Sequence, residues 1–248
     1  MGVNRSRERS PALWKWLVGP WMIGVTLLAY LWAQPLNNGF QSPEAARIIF
    51  WHVPMAMLGL VWFWIGAVHG VRYLYGKRRG DPGLDAKIHF ANEVGLICTI
   101  LATLSGMVFA AVQWGTPWNW DPKQVSISVL ILLYLAYFGV RMSVEQEALR
   151  ARLSAVYSIF GAVATPVLFY VIPNLPQIAK LHPPASTITS GLDPKWRLIY
   201  WASTLGFLWT TLWLYELRLR TAAVEEALEV VEAPATEVRL QAMRRPAA

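Results

Sequence analysis

Six stretches of the chain, at about 14–33, 51–75, 89–111, 125–144, 153–172 and 197–217, are built almost wholly of apolar residues, and the charges collect between them. At 1.5 Å of rise per helical residue, each is long enough to cross a hydrocarbon layer about 30 Å thick. A segment inside lipid must satisfy its own backbone hydrogen bonds, so stretches of this kind predict helices. The expectation is an all-α integral membrane protein, a six-transmembrane-helix bundle occupying residues 1–217. A charged tail follows over 218–248, helical up to Pro234 and frayed beyond it. No internal repeat and no second folded domain is visible. The first stretch is too long for the core of a signal peptide, and Leu31-Trp32-Ala33 is a poor small-x-small cleavage site, so it reads as an uncleaved span.

Where the cations fall sets the orientation. Of the 22 Lys and Arg residues, 17 belong to the N-terminus, the second and fourth connections and the C-terminal tail. The opposite side has only Arg47, Lys123, Lys180, Lys195 and Arg197. By the positive-inside bias both termini are cytoplasmic, which requires an even number of spans. Three connections then face outward, at 34–50, 112–124 and 173–196.

Composition narrows the class further. Apolar residues make up 55% of 248 and charged residues 15%, against about a quarter charged in an ordinary soluble chain. The net charge of +7 lies in pieces flanking the apolar blocks rather than in one stripe, which fits topology and not nucleic acid. The single cysteine, Cys98, lies inside a span, and with no C-x-x-C there is no signature of thiol redox chemistry, zinc binding or covalent haem attachment. No Walker motif is present.

The outer connection at about 112–124 contains Gln113-Trp114-Gly115-Thr116-Pro117-Trp118-Asn119-Trp120-Asp121-Pro122-Lys123. Pro117 and Pro122 bias the residues before them away from helix, so its middle is extended or turned. If extended, Trp118 and Trp120 point to one side as a flat apolar shelf edged with N–H groups. Many of the 14 tryptophans fit an aromatic belt at the membrane surface, and that reading applies to these as well. Their polar, proline-bracketed setting beside an acid and a base favours a ligand shelf, suited to a flat apolar molecule such as haem or a quinone. Haem further requires axial ligands, commonly His. Of the four histidines, His52 and His182 lie on the side of the Trp loop, and neutral imidazole from each can ligate iron; the alternative for each is a hydrogen-bonded surface residue. His69 lies roughly 25 Å deeper than His52 along one helix. It reads as an intra-bundle polar contact and His89 as an interfacial cap. Arg47 and Lys123 are suited either to haem propionates or to lipid headgroups. Asp121 is placed to pair with Lys123 or to accept Trp and backbone N–H bonds.

These motifs resemble a known family. Trp114-Gly-Thr-Pro-Trp118-Asn-Trp120-Asp121 resembles the WWD signature of haem-handling proteins of cytochrome c maturation. With six spans, about 250 residues and one such loop, the chain resembles the CcmC family, the haem exporter protein C. Glu44-Ala-Ala-Arg47-Ile-Ile-Phe-Trp-His52-Val53-Pro54 resembles that family's stretch around its first histidine, and Leu181-His182 stands where it has its second. The family often has a Trp-type residue in place of Pro117 and Arg in place of Lys123. The resemblance implies a bacterial cytoplasmic (inner) membrane protein that binds haem b as cargo on the periplasmic side. His52 and His182 would be axial ligands, Trp114, Trp118, Trp120 and Asp121 the haem surface. It also implies transfer of haem to a CcmE-like membrane-anchored chaperone. Further implied partners are a CcmA/CcmB-like ABC transporter pair and a CcmD-like small single-span protein, with no chemistry of enzyme type. The alternatives are a subunit of a CcsA-type cytochrome c synthetase, which predicts more spans or a large outer domain, and a quinone-binding anchor. An ion-coupled carrier or quinone anchor predicts ionisable residues within the spans, and these are nearly absent.

Overall fold

The computed structural model of the chain describes residues 13–35, 41–175, 181–182 and 191–243, with side chains between Trp14 and Val230. The cations Arg5, Arg7, Arg9, Lys180, Arg244 and Arg245, and the Pro183-Pro184 pair, lie outside the described residues. Within them are six long helices and no strand: α1 (Leu13–Leu31), α2 (Ile49–Tyr75), α3 (Pro82–Trp114), α4 (Pro122–Ser143), α5 (Glu147–Pro166) and α6 (Pro194–Met243). A 3-10 turn, Pro43–Ile48, leads into α2; α5 runs on through a π turn, Val167–Val171, and a 3-10 turn, Ile172–Asn174. Four of these continuous helical stretches, Pro43–Tyr75, Pro82–Trp114, Pro122–Ser143 and Glu147–Asn174, are long and apolar enough to cross a membrane.

Two helix starts share one local code. Asp81-Pro82 opens α3 and Asp121-Pro122 opens α4, each Asp accepting the backbone N–H two residues on, from Gly83 at 2.8 Å and Lys123 at 2.9 Å. The carboxylate satisfies one orphan donor of the first turn, and proline at the first helical position gives up an N–H that has no partner anyway. This start carries α3 a full two turns earlier than its apolar residues indicate.

α2 lies at the centre, packed most widely on α3, then α5, then α6; α1 lies on the outside of α6, and α4 beside α5 and α3. Helices sharing apolar solvent gain little from apolar burial, so close approach of backbones matters. At the α2–α3 crossing a Cβ on Gly59 would lie 3.2 Å from the Gly95 carbonyl, and one on Gly95 would lie 2.6 Å from the Phe63 ring. Phe63 itself stacks on Tyr134 of α4 at 3.5 Å between ring centroids.

α1 and α6 run antiparallel, although they come from opposite ends of the sequence. Trp21 donates to the Ala202 carbonyl at 2.8 Å, Trp196 to that of Gln34 at 3.0 Å, and Lys15 pairs with Glu216. α6 differs from expectation in length: its backbone stays helical through Pro234 to Met243. Its composition after residue 217 is rich in Ala and Glu, good helix formers, and Arg220 reaches back to Glu216 at 3.3 Å.

Candidate functional site

At the end of the bundle bearing the Trp loop, α2, α3, α4 and the π turn after α5 leave an apolar cleft of about 210 Å³. His52, Trp118, Lys123 and His182 all line it. The structure therefore brings together four of the residues singled out from sequence, drawn from three separate parts of the chain.

His52 lies in the first turn of α2. Its Nδ1 is 2.9 Å from the Ala102 carbonyl and 3.2 Å from Ser105 Oγ. A carbonyl only accepts, so Nδ1 carries the ring proton and donates it, which leaves the Nε2 lone pair for a ligand. Gly106 lies flat against this ring: a Cβ there would sit 2.8 Å from His52 Cε1. His182 is fixed the same way by a different acceptor, its Nδ1 donating to Asp121 Oδ1 at 2.6 Å. Asp121 is only 4% exposed and also accepts the Leu181 backbone N–H on Oδ2 at 2.8 Å. Burial pushes its carboxyl up, but the bonds from His182, Leu181 and Lys123 outweigh that and hold it at about 2. The ring of Trp114 stands edge-on to His182 at 5.4 Å.

Each imidazole thus has Nδ1 tied to a fixed oxygen acceptor, and among the described residues Nε2 has no hydrogen-bond partner. Ligating histidines are oriented in this way by a carboxylate or a backbone carbonyl behind them.

The Trp loop is turned rather than extended, and the shared shelf of Trp118 and Trp120 does not form. Trp120 has a left-handed backbone, φ 55°, which breaks the alternation that would have aligned it with Trp118. The two rings meet edge to face at 84°, with Trp118 lining the cleft and Trp120 77% exposed outside it. Trp114 is the last residue of α3 and its ring contacts that of His182. Arg47 lines no part of the cleft. It is 6% exposed, donates to the Ala29 and Ala33 carbonyls at 2.8 and 2.7 Å, and pairs with Glu44, so its guanidinium caps the end of α1. His69 and His89 lie outside the cleft, and His89 is two turns inside α3, packed edge-on to Phe138, rather than an interfacial cap.

Sequence reasoning missed Gly106, Met57, Tyr170 and Gln124, all of which line the cleft. Met57 and Tyr170 close one side of it, the Tyr170 hydroxyl lying 3.4 Å from the Met57 sulfur. The π turn that points Phe169 and Tyr170 inward follows Pro166, whose missing N–H loosens the helical ladder; that proline was a visible signal.

Fold and cleft define a multi-pass membrane protein with a largely apolar cleft lined by two oriented imidazoles. The family model for heme exporter protein C matches residues 5–233, and the chain belongs to that family. Among its relatives, a heme exporter protein C of Rhodobacter capsulatus is 28% identical over 223 residues, covering 86% of this chain and 89% of the relative. One of Bradyrhizobium diazoefficiens is 27% identical over 208 residues, 80% of this chain and 77% of the relative. That of Escherichia coli K12 is 22% identical over 211 residues, 83% of each.

Proposed function

We propose that the protein binds haem b as cargo in this cleft and passes it on during cytochrome c maturation, without enzymatic chemistry of its own. The observation that carries the reading is the pair of imidazoles, each with Nδ1 committed to an oxygen acceptor, in a cavity whose walls are mostly apolar. The residues fit the group. Two neutral nitrogen donors suit haem iron, apolar walls and the Trp118 face suit the macrocycle, and Lys123, which also lines the cleft, suits a propionate. A buried carboxylate stands behind His182, whereas His52 has a carbonyl and a hydroxyl behind it.

Six spans with cytoplasmic termini put the cleft on the periplasmic side of a bacterial inner membrane. The antiparallel pairing of α1 with α6 supports counting both as spans, and the cation count supports the direction. On this reading the receiver is a CcmE-like membrane-anchored chaperone, and the assembly includes a CcmA/CcmB-like transporter pair and a CcmD-like single-span protein. The 218–243 part of α6 is then a cytoplasmic extension.

The test is the visible spectrum of the protein purified from haem-replete cells, beside His52→Ala and His182→Ala. The expected result is a Soret band in the parent that weakens or shifts in each variant. A parent without haem, or a band indifferent to both substitutions, overturns the ligand assignment.

A further inference from the structure

Gln124 lies in the first turn of α4, is buried, and lines the cleft, yet its carboxamide is spent on the Trp loop. Its Oε1 accepts the Asn119 backbone N–H at 2.8 Å, and its Nε2 donates to the Pro117 carbonyl at 3.1 Å. The two partners are the residues on either side of Trp118. An N–H needs an acceptor and a carbonyl needs a donor, so the amide has one orientation and both of its ends are engaged. The remaining bonds within the turn are short-range, Asn119 Nδ2 to the Thr116 carbonyl at 2.9 Å and Thr116 Oγ1 to the Trp118 carbonyl at 3.2 Å. Those close the loop on itself. Gln124 is what ties it to a helix of the bundle around Trp118, a loop that has no ladder of its own and whose next aromatic, Trp120, already turns outward.

We infer that Gln124 is a positioning residue of the ligand site: it grips the peptide groups flanking Trp118 and sets how far that indole advances over the cleft. The inference rests on the haem reading above. It assigns Gln124 no contact with iron, and that separates it from the ligands. Loss of a histidine ligand changes where the haem bands lie. Loss of the clamp leaves the bands in place and loosens the aromatic wall, so haem leaves faster.

The experiment uses the full chain in detergent, loaded with haem, with haem loss to excess apomyoglobin followed by absorbance. Gln124→Leu, close in size, removes both bonds; Gln124→Glu keeps the acceptor for Asn119 and opposes the Pro117 carbonyl. The expected result is bands at the parent's wavelengths in both variants, with loss about tenfold faster for Gln124→Leu and intermediate for Gln124→Glu. A parent-like rate in Gln124→Leu overturns the inference, as does a band displaced in the manner of the His variants. Should Gln124→Leu fail to accumulate, Gln124→Glu decides alone, and a parent-like rate there overturns it. A parent with no Soret band removes the haem reading itself, and the inference with it; a haem-bearing parent with an indifferent Gln124 removes only the inference.

Discussion

Asp121 performs two tasks with one carboxylate. Oδ1 caps the first turn of α4 and receives His182, while Oδ2 receives the Leu181 backbone. The connection containing His182 is thereby tied to the Trp loop across about 60 residues of sequence. Asp121→Asn separates the tasks, because asparagine caps a helix about as well as aspartate but cannot accept at both ends. The expected outcome is near-parental thermal stability with haem lost roughly 10- to 100-fold faster, the usual effect of removing a ligand's supporting acceptor. The pH dependence has a definite sign. A carboxyl held at about 2, below the ordinary value near 3.9, contributes in full above pH 4 and fades as pH falls through 2. The ratio of haem-loss rates between parent and Asp121→Asn should therefore stay constant from pH 7 to about 4 and close only on approach to 2. A ratio that collapses already between pH 7 and 5 would refute the assignment. Gly106 makes a second claim at this scale. Gly106→Ala puts a methyl 2.8 Å from His52 Cε1, so the ring must turn off the Ala102 carbonyl. The expected readout is a shifted Soret band in a protein that still folds.

Among the elements, what was legible depended on how local its cause is. The helices are set by runs of apolar residues: among the described residues six long helices lie where six apolar runs were read, four of them long and apolar enough to cross a membrane, with ends adjusted by features the apolar count ignores. Asp81-Pro82 begins α3 early, and Ala and Glu carry α6 past Pro234. The identities of His52, His182, Trp118 and Lys123 as cleft residues were legible because each stands out chemically at one end of the chain's predicted topology. The shelf of Trp118 and Trp120 was not legible, since one left-handed residue at Trp120 undoes the alternation it relied on. Arg47 was misplaced for a related reason. From sequence it is a cation near a histidine, and only the packing of α1 reveals the carbonyls that take its donors. The Gly59–Gly95 crossing between α2 and α3 escaped notice because a lone glycine in an apolar run has no distinguishing pattern. It has a consequence at the same scale: Gly95→Ala sets a methyl 2.6 Å from the Phe63 ring, and α2 must back away from α3. A loss of about 1–3 kcal/mol is expected from overpacking of this kind, visible as a lower aggregation temperature in detergent, with the haem bands of the remaining folded protein unmoved.

Across the whole molecule the two ends do different work. The end opposite the cleft is stitched by ion pairs between helices: Lys15 with Glu216, Arg218 with Glu93 at 3.0 Å, and Arg141 with Asp85. The last is bidentate, both bonds 2.7 Å, and Arg141 also reaches Ser154 at 2.9 Å, so one guanidinium joins α4, α3 and α5. Directional pairs there join helix to helix, while at the cleft end the Asp121–His182 pair joins two connections. A pair this enclosed costs desolvation to form, so its removal is not symmetrical. Asp85→Leu alone leaves a guanidinium nearly buried and unpaired, for which a loss of about 3–5 kcal/mol is expected. Asp85→Leu combined with Arg141→Met removes both charges and should recover most of that loss. Thermal unfolding of the two single variants, the double variant and the parent gives the coupling directly. If the ends are independent, haem loss from the double variant matches the parent even where stability differs. If haem loss rises with the ion-pair change, the register set at the far end is transmitted to the cleft, and the bundle works as one rigid body rather than as an anchored end and a ligand end.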